Sequence, residues 1–105
     1  MIELTKENFD KEVTNYYGVV FVDFWSPKCA PCMDLLPEVE DFAWKNRGRA
    51  KFCKLDTAGN RRLSIAQKVM GIPTIVLYKN GEKAHVFDTE SIDFNLIQAK
   101  LNELI

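Results

Sequence analysis

Two kinds of segment alternate along this chain: short apolar runs, which are typical of strands, and segments whose apolar residues recur every three to four positions, which are typical of helices. The order of these segments predicts strands interleaved with helices. The clearest strand signal is the continuous β-branched and aromatic run at residues 19–25, which is typical of a strand buried on both faces. Asn80-Gly81 is a strong hairpin signal, because a type I′ turn needs positive φ at both central residues. Strands are predicted at 2–4, 19–25, 51–56, 74–79 and 82–87.

Helical periodicity fills the intervals between these strands. Thr5, Asn60 and Ser91 are residue types that favour the N-cap position, and Gly48 is predicted to end the second helix. The predicted helices span 6–15, a stretch from the cysteine pair to about residue 48, 61–68 and 92–104. The inward side chains of these helices, in order, are predicted to be Phe9, Val13 and Tyr16; Leu35, Leu36, Val39, Phe42 and Ala43; Leu63, Ala66 and Val69; and Phe94, Ile97, Leu101 and Leu104.

The order of these elements predicts an α/β fold with a mixed sheet and helices on both of its faces. A chain of 105 residues is large enough for one hydrophobic core, so residues 1–105 are predicted to form a single domain. The formal net charge is −1 and no basic tract occurs, so neither nucleic acid nor an anionic membrane is an expected partner. Acidic residues begin at Glu3 and no apolar leader segment is visible, which favours a cytoplasmic location.

The candidate chemistry lies in Cys29 and Cys32, which stand where the apolar strand stops and a helix begins. A helix N-terminus favours negative charge, so the first thiol ionises more readily and becomes the attacking group. The second thiol then resolves the mixed disulfide that results. The alternative is that the two cysteines form half of a zinc site. Structural zinc needs about four ligands, and the remaining candidates, Cys53 and His85, are single residues far apart in the sequence. The strand–thiol–helix context favours redox chemistry without a metal or another cofactor.

Asp23 is unusual because it places a carboxylate inside an otherwise apolar strand. Burial of that charge has a desolvation cost, so its presence needs a reason. Two explanations are open. A lysine such as Lys54 can satisfy the carboxylate. Alternatively, Asp23 is a proton acceptor for Cys32, with a pKa raised by burial.

Four segments of the chain together resemble the thioredoxin family over essentially the whole length. Val-Asp-Phe-Trp at 22–25 resembles the strand that carries the family's buried aspartate, and Cys29-Ala30-Pro31-Cys32 is close to its Cys-Gly-Pro-Cys. Gly71-Ile72-Pro73-Thr74 resembles the family's cis-proline loop, and residues 77–82 resemble its terminal hairpin. The resemblance implies a thioredoxin fold with a central four- or five-stranded sheet and about four helices.

The resemblance also assigns roles to individual residues. It implies that Cys29 is the nucleophile, Cys32 the resolving thiol, Asp23 the group that assists Cys32, and Lys54 the partner of Asp23. Base rates alone give little support for a cis bond at Pro73, but the resemblance implies one. The resemblance also implies that Ile72 and Pro73 line the substrate groove. The residues predicted to contact substrate are Trp25, Lys28, Ala30, Pro31, Ile72, Pro73 and Thr89.

Three departures from the family pattern stand out. Lys28 precedes the first cysteine where the family usually has tryptophan, which predicts a lowered pKa for Cys29 and a preference for acidic partners. Ala30 replaces a glycine between the cysteines, and Met33 stands where the family commonly has a cation. Thr89 lies where the family usually has a glycine, beside Asp88 and Glu90, and is predicted to narrow or recharge the rim of the substrate groove.

The predicted function is thiol–disulfide oxidoreduction, with Cys29 and Cys32 reducing disulfides of partner proteins. An external thioredoxin reductase, dependent on flavin or on an iron–sulfur cluster, would regenerate the dithiol, because the chain has no nucleotide-binding fingerprint. A monomer is expected. Two alternatives remain: a more oxidising disulfide exchanger, towards which Lys28 would push the pair, and a binding module that uses the same fold as a subunit of a larger complex.

Overall fold

All five predicted strands are present in the computed structural model, which describes residues 1–105, and they form one sheet. The spatial order is β1-β3-β2-β4-β5. Strands β1 and β2 both pair in parallel with β3, whereas β4 runs antiparallel to β2 and to β5, so the sheet is mixed as predicted. The strands are β1 (Ile2–Leu4), β2 (Val19–Trp25), β3 (Lys51–Asp56), β4 (Thr74–Lys79) and β5 (Glu82–Phe87).

Helical segments cover both faces of this sheet. They are a π-helical turn (Asp10–Thr14), α1 (Ala30–Lys45), α2 (Arg61–Ala66) and α3 (Phe94–Leu104). None of these helices combines the length and the apolarity that crossing a bilayer would need.

Two hydrophobic clusters lie on opposite faces of the sheet, because successive side chains of a strand point to opposite sides. In β2, Val20, Val22 and Phe24 pack on the face covered by the π-helical turn and Val69. Phe21 of the same strand packs on the face covered by α1 and α3. The face beneath α1 is therefore also the face towards which the odd-numbered residues of β2 point.

The first helix differs from the prediction of a regular helix over 6–15. Residues 6–8 form turns, and the helical part is the π-helical turn, in which the Asn15 N–H donates to the Asp10 carbonyl at 2.7 Å. The reason is local side-chain bonding: Asn8 accepts from the Thr5 N–H at 2.7 Å and donates to the Glu3 carbonyl at 3.0 Å, which competes with a regular first turn. Tyr16, predicted inward, is instead 36% exposed.

The other three helix predictions need smaller corrections. Helix α1 ends at Lys45 and not near residue 48, because Asn46 is its C-cap and the Asn46 side-chain amide donates to the Phe42 carbonyl at 3.0 Å. Helix α2 ends at Ala66 and not at residue 68, because Lys68 takes a left-handed φ of 62° and its N–H donates to the Ile65 carbonyl. Ala66, predicted inward, is exposed. Helix α3 begins at Phe94 with Asp93 as N-cap, not Ser91. The Ser91 hydroxyl donates to the Asp88 carboxylate at 2.8 Å and so is engaged in the preceding turn.

The hairpin between β4 and β5 is confirmed, with φ of 53° at Asn80 and 85° at Gly81. Gly81 is required here for a second reason: a Cβ on it would overlap the backbone carbonyl oxygen of Thr14. The turn therefore packs against the end of the π-helical turn, and a backbone atom cannot move aside as a flexible side chain can.

We expect Gly81→Ala to lower the free energy of unfolding by about 3 kcal/mol, the sum of a left-handed penalty of about 1 kcal/mol and a steric penalty. Gly48→Ala is the matched control, since Gly48 also has a positive φ of 81° but nothing within 4 Å of its added Cβ. That variant should lose only the left-handed penalty. Urea unfolding of both variants measures the difference, and equal losses would contradict the steric argument.

Candidate active site

Cys29 is the N-cap residue of α1, and Cys32 lies in its first turn. The two are joined in a disulfide with Cα atoms 5.2 Å apart, and Cys29 Sγ also accepts a hydrogen bond from the Cys32 N–H at 3.2 Å. Cys29 is half-buried, whereas Cys32 is only 2% exposed. Of the two sulfurs, Cys29 is therefore the one that another molecule can reach, and a backbone N–H is placed to stabilise its thiolate.

Ser26 shapes the loop that delivers Cys29 to the helix. Its carbonyl accepts from the Cys29 N–H at 3.1 Å, and its hydroxyl accepts from the Lys28 N–H at 3.3 Å. The side chain of Lys28 is exposed beside the disulfide. Sequence reasoning missed Ser26, although a serine two residues before a turn residue is a recognised signal for this kind of side-chain-to-backbone bond.

Asp23 is buried on the side of β2 that faces α1, since it alternates with Val22 and Phe24 on the opposite side. It is 2% exposed, and its Oδ1 has no hydrogen-bond partner. Burial raises the pKa of Asp23 to about 7, an effect that the charge of Lys54 partly opposes. The carboxyl group beneath the helix that carries Cys32 thus titrates close to neutral pH.

Lys54 is the register neighbour of Asp23 on β3, but no ion pair joins the two side chains. The Lys54 ammonium lies instead 5.0 Å from the ring centroid of Trp25, in a cation–π arrangement. Trp25 is half-buried, and its Nε1 is buried without a partner. The predicted pairing of Lys54 with Asp23 is therefore a long-range electrostatic relation and not a direct contact.

The Ile72–Pro73 peptide bond is cis, as the resemblance implied. Thr74, the next residue, pairs with Phe24 near the C-terminal end of β2. The cis-proline loop therefore lies at the same end of the sheet as the cysteine loop, which begins after β2. Thr89 is exposed, and its hydroxyl donates to the Pro73 carbonyl at 2.8 Å. The structure thus brings Thr89 into contact with the cis-proline loop.

The other predicted substrate contacts, Ala30 and Pro31, are exposed in the first turn of α1, while Ile72 is half-buried. Cys53, a ligand candidate in the zinc alternative, is fully buried in β3, where burial raises the pKa of its thiol to about 12. No group of three or more histidine, cysteine or acidic side chains is arranged to hold a metal ion. The chemistry that this arrangement supports is reversible exchange between the cysteine pair and a disulfide of another molecule, which defines a thiol–disulfide oxidoreductase.

Comparison with known proteins identifies the family. The family model named Thioredoxin matches residues 1–102. The chain is 46% identical over 83 residues to a thioredoxin of Peptoclostridium acidaminophilum, covering 79% of this chain and 76% of that protein. It is 39% identical over 105 residues to a thioredoxin of Acetoanaerobium sticklandii, covering the whole of both chains. A thioredoxin of Staphylococcus haemolyticus is 37% identical over 82 residues, 78% of this chain and 77% of that protein.

The chain belongs to the thioredoxin family. It is a protein disulfide oxidoreductase whose redox-active centre is the Cys29–Cys32 pair. Family membership also supplies the coarse identity of its partners: proteins that contain disulfides, and a thioredoxin reductase.

Proposed function

We propose that the protein works as a cytoplasmic, monomeric electron carrier that reduces partner disulfides. The Cys29 thiolate attacks one sulfur of the partner disulfide, forming a mixed disulfide and releasing one partner thiolate. The Cys32 thiolate then attacks Cys29 Sγ, which releases the second partner thiolate and forms the 29–32 disulfide. Two electrons pass to the partner, and the two partner thiolates take up two protons.

The observation that carries this proposal is the contrast in accessibility between the two sulfurs at the start of α1. The half-buried Cys29 accepts a backbone N–H bond at the helix terminus, so its charged form is stabilised and can meet a large partner. Cys32, at 2% exposure, cannot meet such a partner, but it can attack a mixed disulfide on Cys29. This difference in accessibility favours Cys29 as the nucleophile and Cys32 as the resolving thiol.

Asp23 is the proposed proton acceptor for Cys32. A buried thiol needs a nearby base before it can attack, and a carboxylate whose pKa is about 7 is matched to that task at neutral pH. Lys54 would act as a positioning residue, since its positive charge favours the ionised form of Asp23 without a direct ion pair.

The partner's backbone is proposed to lie along the cis-proline loop. The backbone groups of the half-buried Ile72 would pair there with an extended peptide. Trp25, Lys28, Ala30 and Pro31 would border this groove on the cysteine side, and Thr89 on the opposite side, where its hydroxyl already bonds to Pro73. The oxidised pair would then be regenerated by a reductase dependent on flavin or on an iron–sulfur cluster.

The midpoint potential of the 29–32 couple tests the direction of electron flow. We expect a value near −270 mV, roughly that of a thioredoxin reductant, on equilibration in defined thiol–disulfide buffers. A value of about −180 to −120 mV would favour the more oxidising exchanger instead. If no reversible two-electron transition appeared, the binding-module alternative would replace both.

The charge of Lys28 gives a second test, at the level of one residue. We expect Lys28→Gln to raise the pKa of Cys29 in the reduced protein and to slow its attack on acidic partners severalfold, because a cation beside the thiolate is removed. Lys28→Arg keeps the charge and should behave like the natural protein. Thiolate absorbance near 240 nm during a pH titration measures the first effect, and unchanged titration in Lys28→Gln would exclude the role.

A further inference from the structure

A cleft of about 540 Å³ opens beside the redox pair, between α2 and the cis-proline loop. Two of its lining residues belong to the site already described. The Ser26 carbonyl accepts a hydrogen bond from the Cys29 N–H, and Ile72 forms the cis bond with Pro73. A polypeptide whose disulfide meets Cys29 would therefore pass the mouth of this cleft.

Two large apolar side chains that line the cleft are mostly exposed. Met70 is 87% exposed and Ile65 is 59% exposed, and both line the opening. Neither belongs to the hydrophobic clusters on the two faces of the sheet. Large exposed apolar groups beside a reactive centre are typical of a binding surface, because contact with water is unfavourable for them and a bound partner would remove it.

Arg61 is the one charged residue that lines the cleft. It is exposed and forms neither an ion pair nor a side-chain hydrogen bond. The neighbouring Ser64 hydroxyl donates to the Asn60 carbonyl at 2.9 Å and so is already engaged. The guanidinium is therefore a charged group left free to meet a ligand, and its planar donors suit a carboxylate.

The geometry points to a specificity site for one kind of partner: a segment next to the attacked disulfide that carries an apolar side chain followed by an acidic one. The apolar side chain packs between Ile65 and Met70, and the carboxylate pairs with Arg61. The site rests on the disulfide exchange at Cys29, and it selects among substrates without contributing to the chemistry.

The test uses mixed disulfides between short cysteine peptides and a small chromogenic thiol, each reduced by the full-length dithiol protein. The peptides carry Leu-Glu, Leu-Lys or Ser-Glu, placed either two residues before or two residues after the cysteine. In at least one placement we expect reduction of the Leu-Glu peptide about tenfold faster than that of the Leu-Lys peptide. Arg61→Glu should remove or reverse this preference, and Met70→Gln should remove the preference of Leu-Glu over Ser-Glu.

Arg62→Glu is the matched control, because Arg62 is the exposed neighbour of Arg61 on α2 but does not line the cleft. It should leave both preferences within about twofold of the natural protein. The neutral disulfide 2-hydroxyethyl disulfide reports on the thiols alone, and all variants should reduce it at the natural rate. Equal rates for Leu-Glu and Leu-Lys in both placements, or an equal effect of Arg62→Glu and Arg61→Glu, would overturn the specificity site. Failure to reduce the neutral disulfide would instead overturn the exchange function.

Discussion

Cys29→Ser should lower the rate of protein disulfide reduction on the order of 10³-fold or more, because a serine hydroxyl stays protonated where a thiolate is needed. Cys32→Ser should lose turnover to a similar extent but for a different reason. The first attack by Cys29 remains available in that variant, while the release step does not. A mixed disulfide with the partner should therefore accumulate in Cys32→Ser and be absent from Cys29→Ser.

Intact-mass measurement distinguishes the two variants after each is mixed with an oxidised protein substrate. Cys32→Ser should show a covalent adduct that dithiothreitol removes, and peptide mapping should place it on Cys29. Cys53→Ser is the matched control, since Cys53 is fully buried and its pKa of about 12 keeps it protonated. An adduct that mapped to Cys53, or a Cys53→Ser variant that folded but lost turnover, would contradict the assignment of the redox pair.

Sequence reasoning succeeded where the decisive interactions are local. Cys29 and Cys32 are three positions apart, and the strand and helix around them follow from periodicity, so the geometry of the pair is largely a local property. The hairpin at Asn80-Gly81 is also local, because it depends on the φ angles of two residues. The cis bond at Pro73 is a different case, since base rates argue against it and only the resemblance implied it.

Errors arose where two local signals compete or where packing decides. Ser91 and Asp93 are both good cap residues two positions apart, and the helix starts after the one whose carboxylate accepts from the Asn95 and Leu96 N–H groups. Tyr16 fits the inward face of a regular helix, but the helix is replaced by turns and a π-helical turn.

The cleft beside the redox pair could not be predicted from local patterns, because it depends on how α2 lies against the cis-proline loop. Arg61 and Met70 are nine residues apart, and only the tertiary fold makes them neighbours of one opening. The one sequence signal was Ile65 and Met70 themselves, which are large apolar residues in a segment whose other positions are mostly polar.

Asp23→Leu should stabilise the oxidised protein at pH 8 by about 2–4 kcal/mol. The folded-state pKa of Asp23 is about 7, whereas an unfolded aspartate titrates near 3.9. Between these values the folded state holds a proton on Asp23 that the unfolded state has lost, so the contribution of Asp23 to stability falls as the pH rises from about 4 to about 7. Above that range the full cost of a buried charge is present, and the leucine variant avoids it.

Urea unfolding at pH 4, 6 and 8 measures this effect, with the disulfide intact in both proteins. The gain in Asp23→Leu should grow steadily over the series and be smallest at pH 4, where Asp23 is largely protonated in the folded state. Glu38→Gln is a control for removal of a surface carboxylate, because Glu38 is exposed on α1 and its replacement should change stability by no more than about 0.5 kcal/mol at any of the three pH values. A gain of the same size at pH 4 and pH 8 would show that better packing, and not relief of a buried charge, stabilises the variant.

The same substitution should slow turnover, because a Cys32 that lacks its proton acceptor attacks the mixed disulfide less often. General base catalysis contributes about 10²–10⁴-fold in favourable cases, so we expect at least about tenfold slower reduction near pH 7. Raising the pH should narrow the gap, since hydroxide and buffer can then deprotonate Cys32 directly. A variant that is more stable and yet slower would identify the buried carboxylate as a group that the fold retains for its function, at a cost in stability.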